Sequence, residues 1–291
     1  MMTAGDFSTG ASQSSARSGA STRPNADATA HANGHLPDAV SQLRSTADGP
    51  PDPGGEPRVL IVEDDAAILE TTVLLLRQFG FLTVTAADGQ RGLEAFRARP
   101  PDVALLDVML PHIDGISLTR RIRELSVVPV VLMSARSDPL DVVAGLEAGA
   151  DDYVTKPFDG PVLAARLRAV LRRSDWSRRD ADTSALPRTM QVSDLEVDSG
   201  GMSARVAGRE IRLTATEARL LAELAANAGL VLSRDTLLER VWDYQWGGDT
   251  RLVDVHIQRL RAKIGPERIE TVRGAGYKLP RAPRPTQAPR F

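Results

Sequence analysis

The chain has 291 residues and a net charge of −2, enough length for two domains that each bury a core. It contains no cysteine, so a disulfide framework and thiolate catalysis are excluded. No apolar run approaches the roughly 18 residues of a membrane span, and the N-terminus lacks the apolar core of a signal peptide. We therefore expect a cytoplasmic protein without a membrane partner.

Charge is unevenly distributed along the chain. Residues 58–171 carry 12 Lys/Arg and 16 Asp/Glu, a balance of −4, whereas residues 205–281 carry 14 and 10, a balance of +4. An acidic half joined to a basic half favours one module that binds a metal and one that contacts a polyanion.

Residues 1–57 are rich in Ala, Ser, Thr, Gly, Pro and Asp. A segment of this composition cannot bury enough apolar surface to offset the entropy of ordering it, so we predict that it is disordered. A translation start later than Met1 is an alternative explanation of its composition. The tail, residues 281–291, is predicted to be disordered as well.

Strand and helix patterns alternate five times between residues 58 and 172. Short apolar runs are typical of strands buried on both faces, and five such units predict a doubly wound parallel sheet. The clearest runs are Val59–Val62, Val103–Leu106, Val130–Met133 and Tyr153–Thr155. The predicted helices are Ala66–Phe79, Gly89–Ala98, Gly115–Leu125, Pro139–Ala148 and Gly160–Leu171, with Asp88 and Asp138 as caps.

Polar and charged side chains follow these apolar runs directly. Glu63 and Asp64 follow the first run, Asp107 and Ser134 follow the next two, and Lys156 follows the last. Because the carboxyl ends of parallel strands meet at one edge of a sheet, we expect these side chains to converge. Three acids and one lysine predict a site for a divalent metal and a phosphoryl group, whose oxygens Lys156 and the Ser134 hydroxyl would bind.

Magnesium is the predicted metal, because it prefers oxygen ligands and keeps several waters. Asp64 and Asp107 would bind it directly, Glu63 through a water, and the backbone carbonyl of Met109 would be a further ligand. With its charge screened, Asp107 can attack a phosphoryl donor and form an aspartyl phosphate.

Residues 173–189 are predicted to be a flexible linker before a second domain, residues 190–280. Short alternating runs predict a small antiparallel sheet, and Thr214 and Glu217 have capping-box spacing. The predicted strands are Gln191–Val197, Ser203–Val206 and Ile211–Leu213; one helix follows Thr214, a second runs from Ser233 to near Trp242, and a third covers Arg251–Ile264. A hairpin over Ile269–Leu279 completes the α+β order of a winged helix.

The helix Arg251–Ile264 has one apolar face and one basic face. Its apolar stripe consists of Leu252, Val253, Ile257, Leu260 and Ile264. The residues that lie largely off this stripe are Arg251, Val255, Gln258, Arg259 and Arg261. Such a helix fits the major groove of DNA, and an ordinary solvated basic face is the alternative interpretation.

Five motifs in the N-terminal half resemble the receiver domain of two-component response regulators. They are Val-Glu-Asp-Asp at 62–65, Leu-Leu-Asp-Val-Met-Leu-Pro at 105–111, Asp114-Gly115, Ser134-Ala135-Arg136 and Gly-Ala-Asp-Asp-Tyr-Val-Thr-Lys-Pro-Phe at 149–158. The resemblance implies a flavodoxin-like five-stranded sheet, phosphorylation of Asp107 by a sensor histidine kinase, and a cis peptide before Pro157. It also implies that Ser134 and Tyr153 form a switch that repacks the fourth helix, fifth strand and fifth helix.

The second domain resembles the effector domain of the OmpR/PhoB subfamily. The motifs are Leu-Thr-Ala-Thr-Glu at 213–217, Val-Leu-Ser-Arg at 231–234, Gly-Asp-Thr-Arg at 248–251, Val-Asp-Val-His-Ile-Gln-Arg-Leu-Arg at 253–261 and Thr-Val-Arg-Gly-Ala-Gly-Tyr at 271–277. This implies promoter DNA as a partner and RNA polymerase as a contact of residues 242–248, whose aromatic side chains could equally be local packing. Residues 237–279 also resemble regulators paired with sensors of cell-envelope stress in actinobacteria.

The subfamily resemblance implies individual roles in DNA binding. Val255 would touch a thymine methyl group and Arg259 would read bases. Three residues would hold phosphates: Arg251, His256 and Arg261. Gln258 stands where better-known members carry Arg, which leaves that contact open, and Arg273 would enter the minor groove.

The resemblance also implies a two-fold dimer on phosphorylation. Its ion pairs would join Asp152 with Arg166 and Asp151 with Arg168 across the axis. A third pair usual in the family is absent, because the corresponding positions hold Val142 and Val162. We expect an apolar contact in its place.

Two other functions compete with a phosphorylation-controlled transcription factor. One is a metal-dependent aspartyl phosphotransferase or phosphatase, although such enzymes usually carry another acid two residues after the nucleophile, where this chain has Met109. The other is an atypical response regulator that works without phosphate, although the complete set of acceptor, acids, hydroxyl and lysine argues against it. We therefore expect a protein that is not an enzyme.

Overall fold

The structure is a computed structural model that describes residues 55–135, 139–175, 189–244 and 248–281. The predicted disorder of residues 1–54 and 282–291 lies outside the described residues, as do most of the predicted linker, the predicted cap Asp138, and Arg136. We refer to residues 55–175 as the N-terminal domain and to residues 189–281 as the C-terminal domain.

The N-terminal domain is built on a five-stranded parallel sheet, as predicted. Its strands are β1 (Arg58–Val62), β2 (Leu82–Ala86), β3 (Val103–Asp107), β4 (Val130–Ser134) and β5 (Asp152–Thr155). They lie in the order β2-β1-β3-β4-β5, so the direction of winding reverses between β1 and β3. Every residue of β3 and β4 is buried, which is why these strands are apolar up to their last residues. The reversal places the carboxyl ends of β1 and β3 beside each other.

Five helices cover the two faces of this sheet. They are α1 (Ala66–Gln78), α2 (Gly89–Ala98), α3 (Gly115–Leu125), α4 (Pro139–Glu147) and α5 (Gly160–Asp175). Asp88 caps α2 as predicted, accepting a hydrogen bond from the Arg91 amide. The prediction that α5 ends at Leu171 is wrong, because the helix continues through Arg172 and Arg173, whose positive charges favour a helix C-terminus.

The C-terminal domain begins with a four-stranded antiparallel sheet. Its strands are β6 (Thr189–Val192), β7 (Leu195–Asp198), β8 (Ser203–Val206) and β9 (Arg209–Arg212), hydrogen-bonded in that order. The single strand predicted over Gln191–Val197 is wrong: Ser193 takes a left-handed backbone conformation, with φ of 56°, and turns the chain back. Neither residue of the turn, Ser193 or Asp194, is the glycine that usually marks such a turn. The sequence therefore lacked the strongest signal for the turn.

Three helices and a hairpin complete the C-terminal domain as predicted. They are α6 (Ala215–Ala226), α7 (Arg234–Trp242), α8 (Arg251–Ile264), a 3-10 turn at Pro266–Arg268, and the hairpin β10 (Glu270–Val272) with β11 (Gly276–Lys278). The capping box is present in full, since Thr214 and Glu217 each accept the other's amide hydrogen bond.

The two domains are in direct contact through α8 against α4 and α6 against α5. The peptide bond between Lys156 and Pro157 is cis, as the family resemblance implies. Within the described ranges, no helix combines the length and the apolar composition that a membrane crossing requires.

Candidate functional site

The ends of β1, β3 and β5 meet around Asp107. The Lys156 ammonium lies 3.2 Å from Oδ1 of Asp107 and 2.5 Å from Oε2 of Glu63. Asp107 is the last residue of β3 and is only 5% exposed. A nearly buried carboxylate beside a fixed lysine is a suitable acceptor for a phosphoryl group, because the ammonium can neutralise the added anionic oxygens.

Three carboxylates at this edge offer a metal site. Glu63, Asp64 and Asp107 each present an oxygen within 4.8 Å of the others. Burial raises the pKa of Glu63, the Asp107 carboxylate raises it further, and the ion pair with Lys156 opposes both effects. This set of hard oxygen donors fits Mg²⁺, which would relieve the mutual repulsion of the acids. The carbonyl of Met109 as a further ligand stays a prediction; its side chain is exposed.

Gly115 is a site residue whose role sequence reasoning did not explain. A Cβ at this position would lie 2.0 Å from the backbone oxygen of Asp107, so any side chain would push the start of α3 away from the acceptor. Asp114 beside it caps α3 by accepting from the Ser117 amide. The Asp-Gly pair therefore fixes the loop that follows Asp107.

The two predicted switch residues lie on adjacent strands. Ser134 ends β4 and is buried, and its backbone oxygen accepts a hydrogen bond from the Lys156 amide. Tyr153 lies on β5, and its hydroxyl donates to the Asp249 carboxylate of the C-terminal domain at 2.5 Å. Burial and the Asp249 charge raise the pKa of Tyr153. The proposed switch tyrosine is thus hydrogen-bonded to the residue two places before α8.

Asp152 and Arg166 form an ion pair within the chain at 3.5 Å. The Tyr244 hydroxyl of the C-terminal domain also donates to Asp152, at 2.5 Å, and Arg166 contacts the same hydroxyl. Burial raises the pKa of Asp152, although Arg166 and Arg173 oppose this. The side chains predicted to join two protomers are here engaged with the C-terminal domain of their own chain.

The structure does not bring Asp151 and Arg168 together within the chain. Asp151 is held inside the N-terminal domain by Arg123 at 2.6 Å and by the Val130 amide at 3.0 Å. Arg168 instead donates to the backbone oxygen of Phe79. Of the two apolar positions predicted for the dimer, Val142 is buried whereas Val162 is 46% exposed. Pairing across a dimer axis stays a prediction.

The predicted base-reading side of α8 lies against the N-terminal domain. Val255 is only 7% exposed. Arg259 donates to the backbone oxygens of Ala150 at 2.8 Å and Leu146 at 3.4 Å, and it pairs with Glu217 at 2.9 Å. In this arrangement Arg259 cannot enter a major groove, because its guanidinium is bound to the end of α4, and Val255 is buried beside it on α8.

His256, predicted to hold a DNA phosphate, is completely buried. Its Nδ1 lies 2.8 Å from the Leu252 oxygen, and its ring meets the Trp242 indole edge-on at 5.0 Å between centroids. Burial and the neighbouring Arg259 lower the pKa of His256 to about 3, against a smaller opposing effect of Asp151. The ring is therefore neutral in this arrangement.

The other predicted DNA contacts are distributed around α8 and the hairpin. Arg251 pairs with Asp249 at 2.7 Å, and Arg261 donates to the Ile269 oxygen at 2.6 Å. Gln258 and Arg273 are exposed. The structure therefore leaves the hairpin arginine available to a ligand while it covers the centre of α8.

Two further contacts between the domains involve residues for which the sequence predicts other roles. The indole nitrogen of Trp242 donates to the Asp151 oxygen at 3.1 Å, and buried Arg173 donates to the Val241 oxygen at 3.2 Å. The sequence predicts polymerase contact or local packing for Trp242 and places Arg173 in the linker. Trp242 is a large apolar side chain at the C-terminal end of α7. Its presence there was the signal in the sequence that another part of the protein covers this end.

Comparisons with known proteins agree with this architecture. Residues 59–168 match the response regulator receiver domain, and residues 208–279 match the C-terminal domain of transcriptional regulatory proteins. The chain belongs to the OmpR/PhoB-type response regulators. In this family the N-terminal domain is the receiver and the C-terminal domain is the DNA-binding effector.

Several named response regulators are similar over most of their length. The transcriptional regulatory protein CseB of Streptomyces coelicolor is 61% identical over 226 residues, which cover 76% of this chain and 97% of CseB. The DNA-binding response regulator MtrA of Mycobacterium tuberculosis is 45% identical over 226 residues, covering 76% and 96% of the two chains. A solved structure of a RitR point mutant superposes with a TM-score of 0.60 at 26% identity, over 77% of this chain and 98% of RitR.

Proposed function

We propose that this response regulator is a transcription factor that a sensor histidine kinase activates by phosphorylating Asp107. Phosphorylation would release the C-terminal domain, allow a dimer to form, and allow binding to direct repeats in promoter DNA. One observation carries the proposal: the domain that contains Asp107 and Lys156 also covers Val255 and Arg259 of α8. Phosphorylation at the Asp107 edge of the N-terminal domain can therefore control whether DNA reaches the part of α8 that the same domain covers.

The chain's own residues account for the phosphoryl transfer. A carboxylate oxygen of Asp107 attacks the phosphorus of a phosphohistidine, a new P–O bond forms, and the P–N bond breaks as the imidazole leaves. Lys156 and the Ser134 hydroxyl bind the transferred oxygens. Glu63 and Asp64, with Asp107, would hold Mg²⁺, which neutralises charge between the acids and the incoming phosphoryl group.

Tyr153 provides the link between the phosphoryl site and α8. If Ser134 moves to the phosphoryl group and the Tyr153 ring turns inward behind it, the hydrogen bond from Tyr153 to Asp249 is lost. Asp249 also binds Arg251 at the start of α8. Loss of this contact would loosen the N-terminal end of the recognition helix from the N-terminal domain.

Dimerisation would compete with the closed arrangement of the two domains. Asp152 and Arg166, the predicted pair across the dimer axis, are both engaged by Tyr244 in this structure. A protomer would have to release its C-terminal domain before these side chains could pair with a second copy. A dimer would then place two DNA-binding modules side by side and bind tandem half-sites with avidity.

Opening would also expose the remaining predicted partner surface. Trp242 is completely buried in this structure, so the segment predicted to contact RNA polymerase is accessible at this end only after the domains separate. The resemblance of residues 237–279 to regulators of cell-envelope stress suggests such a stress as the signal of the cognate kinase. The cytoplasmic location remains a prediction.

Intact mass spectrometry tests the proposal directly. Acetyl phosphate with magnesium should add one phosphoryl group to the wild-type protein and none to Asp107→Asn, a variant of nearly the same size. An unmodified wild-type protein that still binds promoter DNA would favour an atypical regulator. Continuous turnover of a small phosphoester would favour an aspartyl phosphatase instead.

A further inference from the structure

We propose that His256 makes the closed arrangement of the two domains sensitive to protons, so that protonation of its imidazole releases the DNA-binding domain without phosphorylation. The inference rests on the closed arrangement described under the proposed function, and it adds a second input to the same interface. It does not require phosphorylation of Asp107.

The ring is placed so that only its neutral form fits. A proton on Nδ1 is donated to the Leu252 oxygen at 2.8 Å. The other nitrogen, Nε2, lies 3.4 Å from Nη1 of Arg259 and must accept a hydrogen bond there, because a guanidinium has only donors. A second proton on Nε2 would point at a cation, inside a site that excludes water.

The charged groups around the ring do not compensate a second proton. Among the described residues, Arg259 faces it from α8, Glu217 from α6, and Asp151 from the position before β5, with Arg123 of α3 behind Asp151. The two carboxylates already have cationic partners, since Glu217 pairs with Arg259 at 2.9 Å and Asp151 with Arg123 at 2.6 Å. An added charge on His256 therefore disturbs two existing ion pairs.

The N-terminal domain holds the two side chains that flank the ring, Arg259 and Trp242. Ala150 and Leu146 bind Arg259 through their backbone oxygens, and the Asp151 oxygen binds the Trp242 indole that flanks the ring. Separation of the domains removes this side of the enclosure and admits water to the imidazole. The released histidine can then take up a proton at its ordinary pKa.

The sign of the effect follows from the two pKa values of His256. In the closed arrangement the pKa of His256 is lowered to about 3, whereas a solvated histidine has its ordinary pKa of about 6.5. The favourable contribution of neutral His256 to the free energy of closure is therefore at its full size above the ordinary pKa. It declines as the pH falls below that value. Between about pH 7.5 and about pH 5.5 the ratio of open to closed molecules should rise about ten-fold.

Energy transfer between two dyes measures opening in the full-length chain. The chain has no cysteine, so Gln90→Cys and Glu210→Cys, at exposed positions in the two domains, can be labelled selectively. The measurement is made in an Asp107→Ala background, which keeps the test independent of phosphorylation. Transfer should fall between pH 7.5 and pH 5.5, and His256→Asn, whose amide can donate to Leu252, should abolish the fall.

A control variant tests whether another histidine of the described residues causes the transition. His112→Asn removes an exposed histidine of the N-terminal domain and should leave the transition unchanged. Asp152, whose pKa burial raises, is the competing source of a pH effect at this interface. A transition of full size that persists in His256→Asn would assign the effect to another group and overturn the proposal.

A titration of the wild-type ring by NMR keeps the test decisive if His256→Asn does not close. The ring signal of His256 in the full-length Asp107→Ala protein should shift only over the pH range in which energy transfer falls. A ring that titrates with an ordinary pKa while the domains stay together would overturn the proposal. Failure of acetyl phosphate to modify the wild-type protein would contradict the proposed function and leave this result standing.

Discussion

At the scale of single residues, Tyr153 has the clearest consequence for control. Its hydroxyl donates to a charged carboxylate of the other domain, a type of hydrogen bond that contributes about 1.5 kcal/mol or more. Tyr153→Phe should therefore raise the open fraction of the unphosphorylated protein roughly ten-fold. Energy transfer between labelled domains measures the change.

A matched control for Tyr153 exists within the C-terminal domain. The Tyr277 hydroxyl donates to the Asp254 carboxylate at 2.7 Å, so Tyr277→Phe also removes a tyrosine–carboxylate hydrogen bond. That bond does not cross between the domains, and its loss should leave the open fraction unchanged. Equal opening of both variants would contradict the role given to Tyr153.

Arg259 has opposite roles in the two arrangements of the molecule. In the closed arrangement it binds Ala150 and Glu217, and in the DNA complex we expect it to read bases. Arg259→Ala should weaken binding of the phosphorylated protein to its operator by about 1–3 kcal/mol and relax base preference. Binding titrations at one salt concentration, on operator and on random duplex, measure both effects. An equal loss on the two duplexes would show that Arg259 contacts only the backbone.

At the scale of elements, the meeting of Glu63, Asp107 and Lys156 was predictable because these side chains follow buried strands. Asp107 and Ser134 end strands that are apolar throughout, and the carboxyl ends of neighbouring parallel strands must meet. The capping box of α6 was predictable for a similar reason, since Thr214 and Glu217 satisfy local backbone groups. Both features depend on short-range rules that a single sequence contains.

The contact between the domains was not predictable from periodicity. Val255 and His256 are not members of the apolar stripe of α8, so the hydrophobic pattern predicts that both are exposed. Both are buried, and His256 lies beside Trp242 and Arg259, two side chains that bind backbone oxygens of the N-terminal domain. Ser193 shows the same limit locally, since its left-handed conformation creates a turn without a glycine. These features depend on tertiary contacts between segments distant in sequence.

The C-terminal end of α5 carries a buried cation, Arg173. Arg173 is completely enclosed, yet its Nε and Nη2 have no hydrogen-bond partner in the part of the chain that the structure describes. Arg173 nevertheless compensates the buried carboxylates of Asp152 and Asp151, each of which favours the charged form of Arg173. Removal of a buried cation alone leaves such carboxylates uncompensated, so Arg173→Met should destabilise the closed arrangement by about 3 kcal/mol and lower the midpoint of thermal unfolding.

The preceding residue supplies the control for Arg173. Arg172 pairs with Asp243 at 3.0 Å, but its side chain is 47% exposed. Arg172→Met should change the free energy of unfolding by no more than about 0.5 kcal/mol, because exposed ion pairs contribute little. Calorimetry of the two variants in parallel separates burial from loss of charge, and an unchanged or raised midpoint for Arg173→Met would contradict the argument.

At the scale of the whole molecule, the same face of the N-terminal domain has two alternative partners. In the closed monomer it contacts the C-terminal domain through Asp152, Arg166 and the end of α4. In the proposed dimer it contacts a second copy. Phosphorylation then shifts the equilibrium between the closed monomer and the dimer. The size of the shift equals the difference between the free energies with which the phosphoryl group interacts with the two arrangements.

The composition of the proposed dimer interface predicts its response to salt. Where the family usually has an ion pair, this chain has Val142 and Val162, and exposed ion pairs are screened by salt whereas apolar contacts are not. The dissociation constant of the phosphorylated dimer, measured by analytical ultracentrifugation, should therefore change less between about 0.05 M and about 0.5 M salt than that of Val142→Arg/Val162→Glu. The two remaining ion pairs are present in both proteins, so their response to salt is the same in each.

Because Val142 is buried in the closed monomer, the double variant is compared only as a phosphorylated protein whose domains have separated. Equal salt dependence of the two dimers would show that the valines do not lie at the interface.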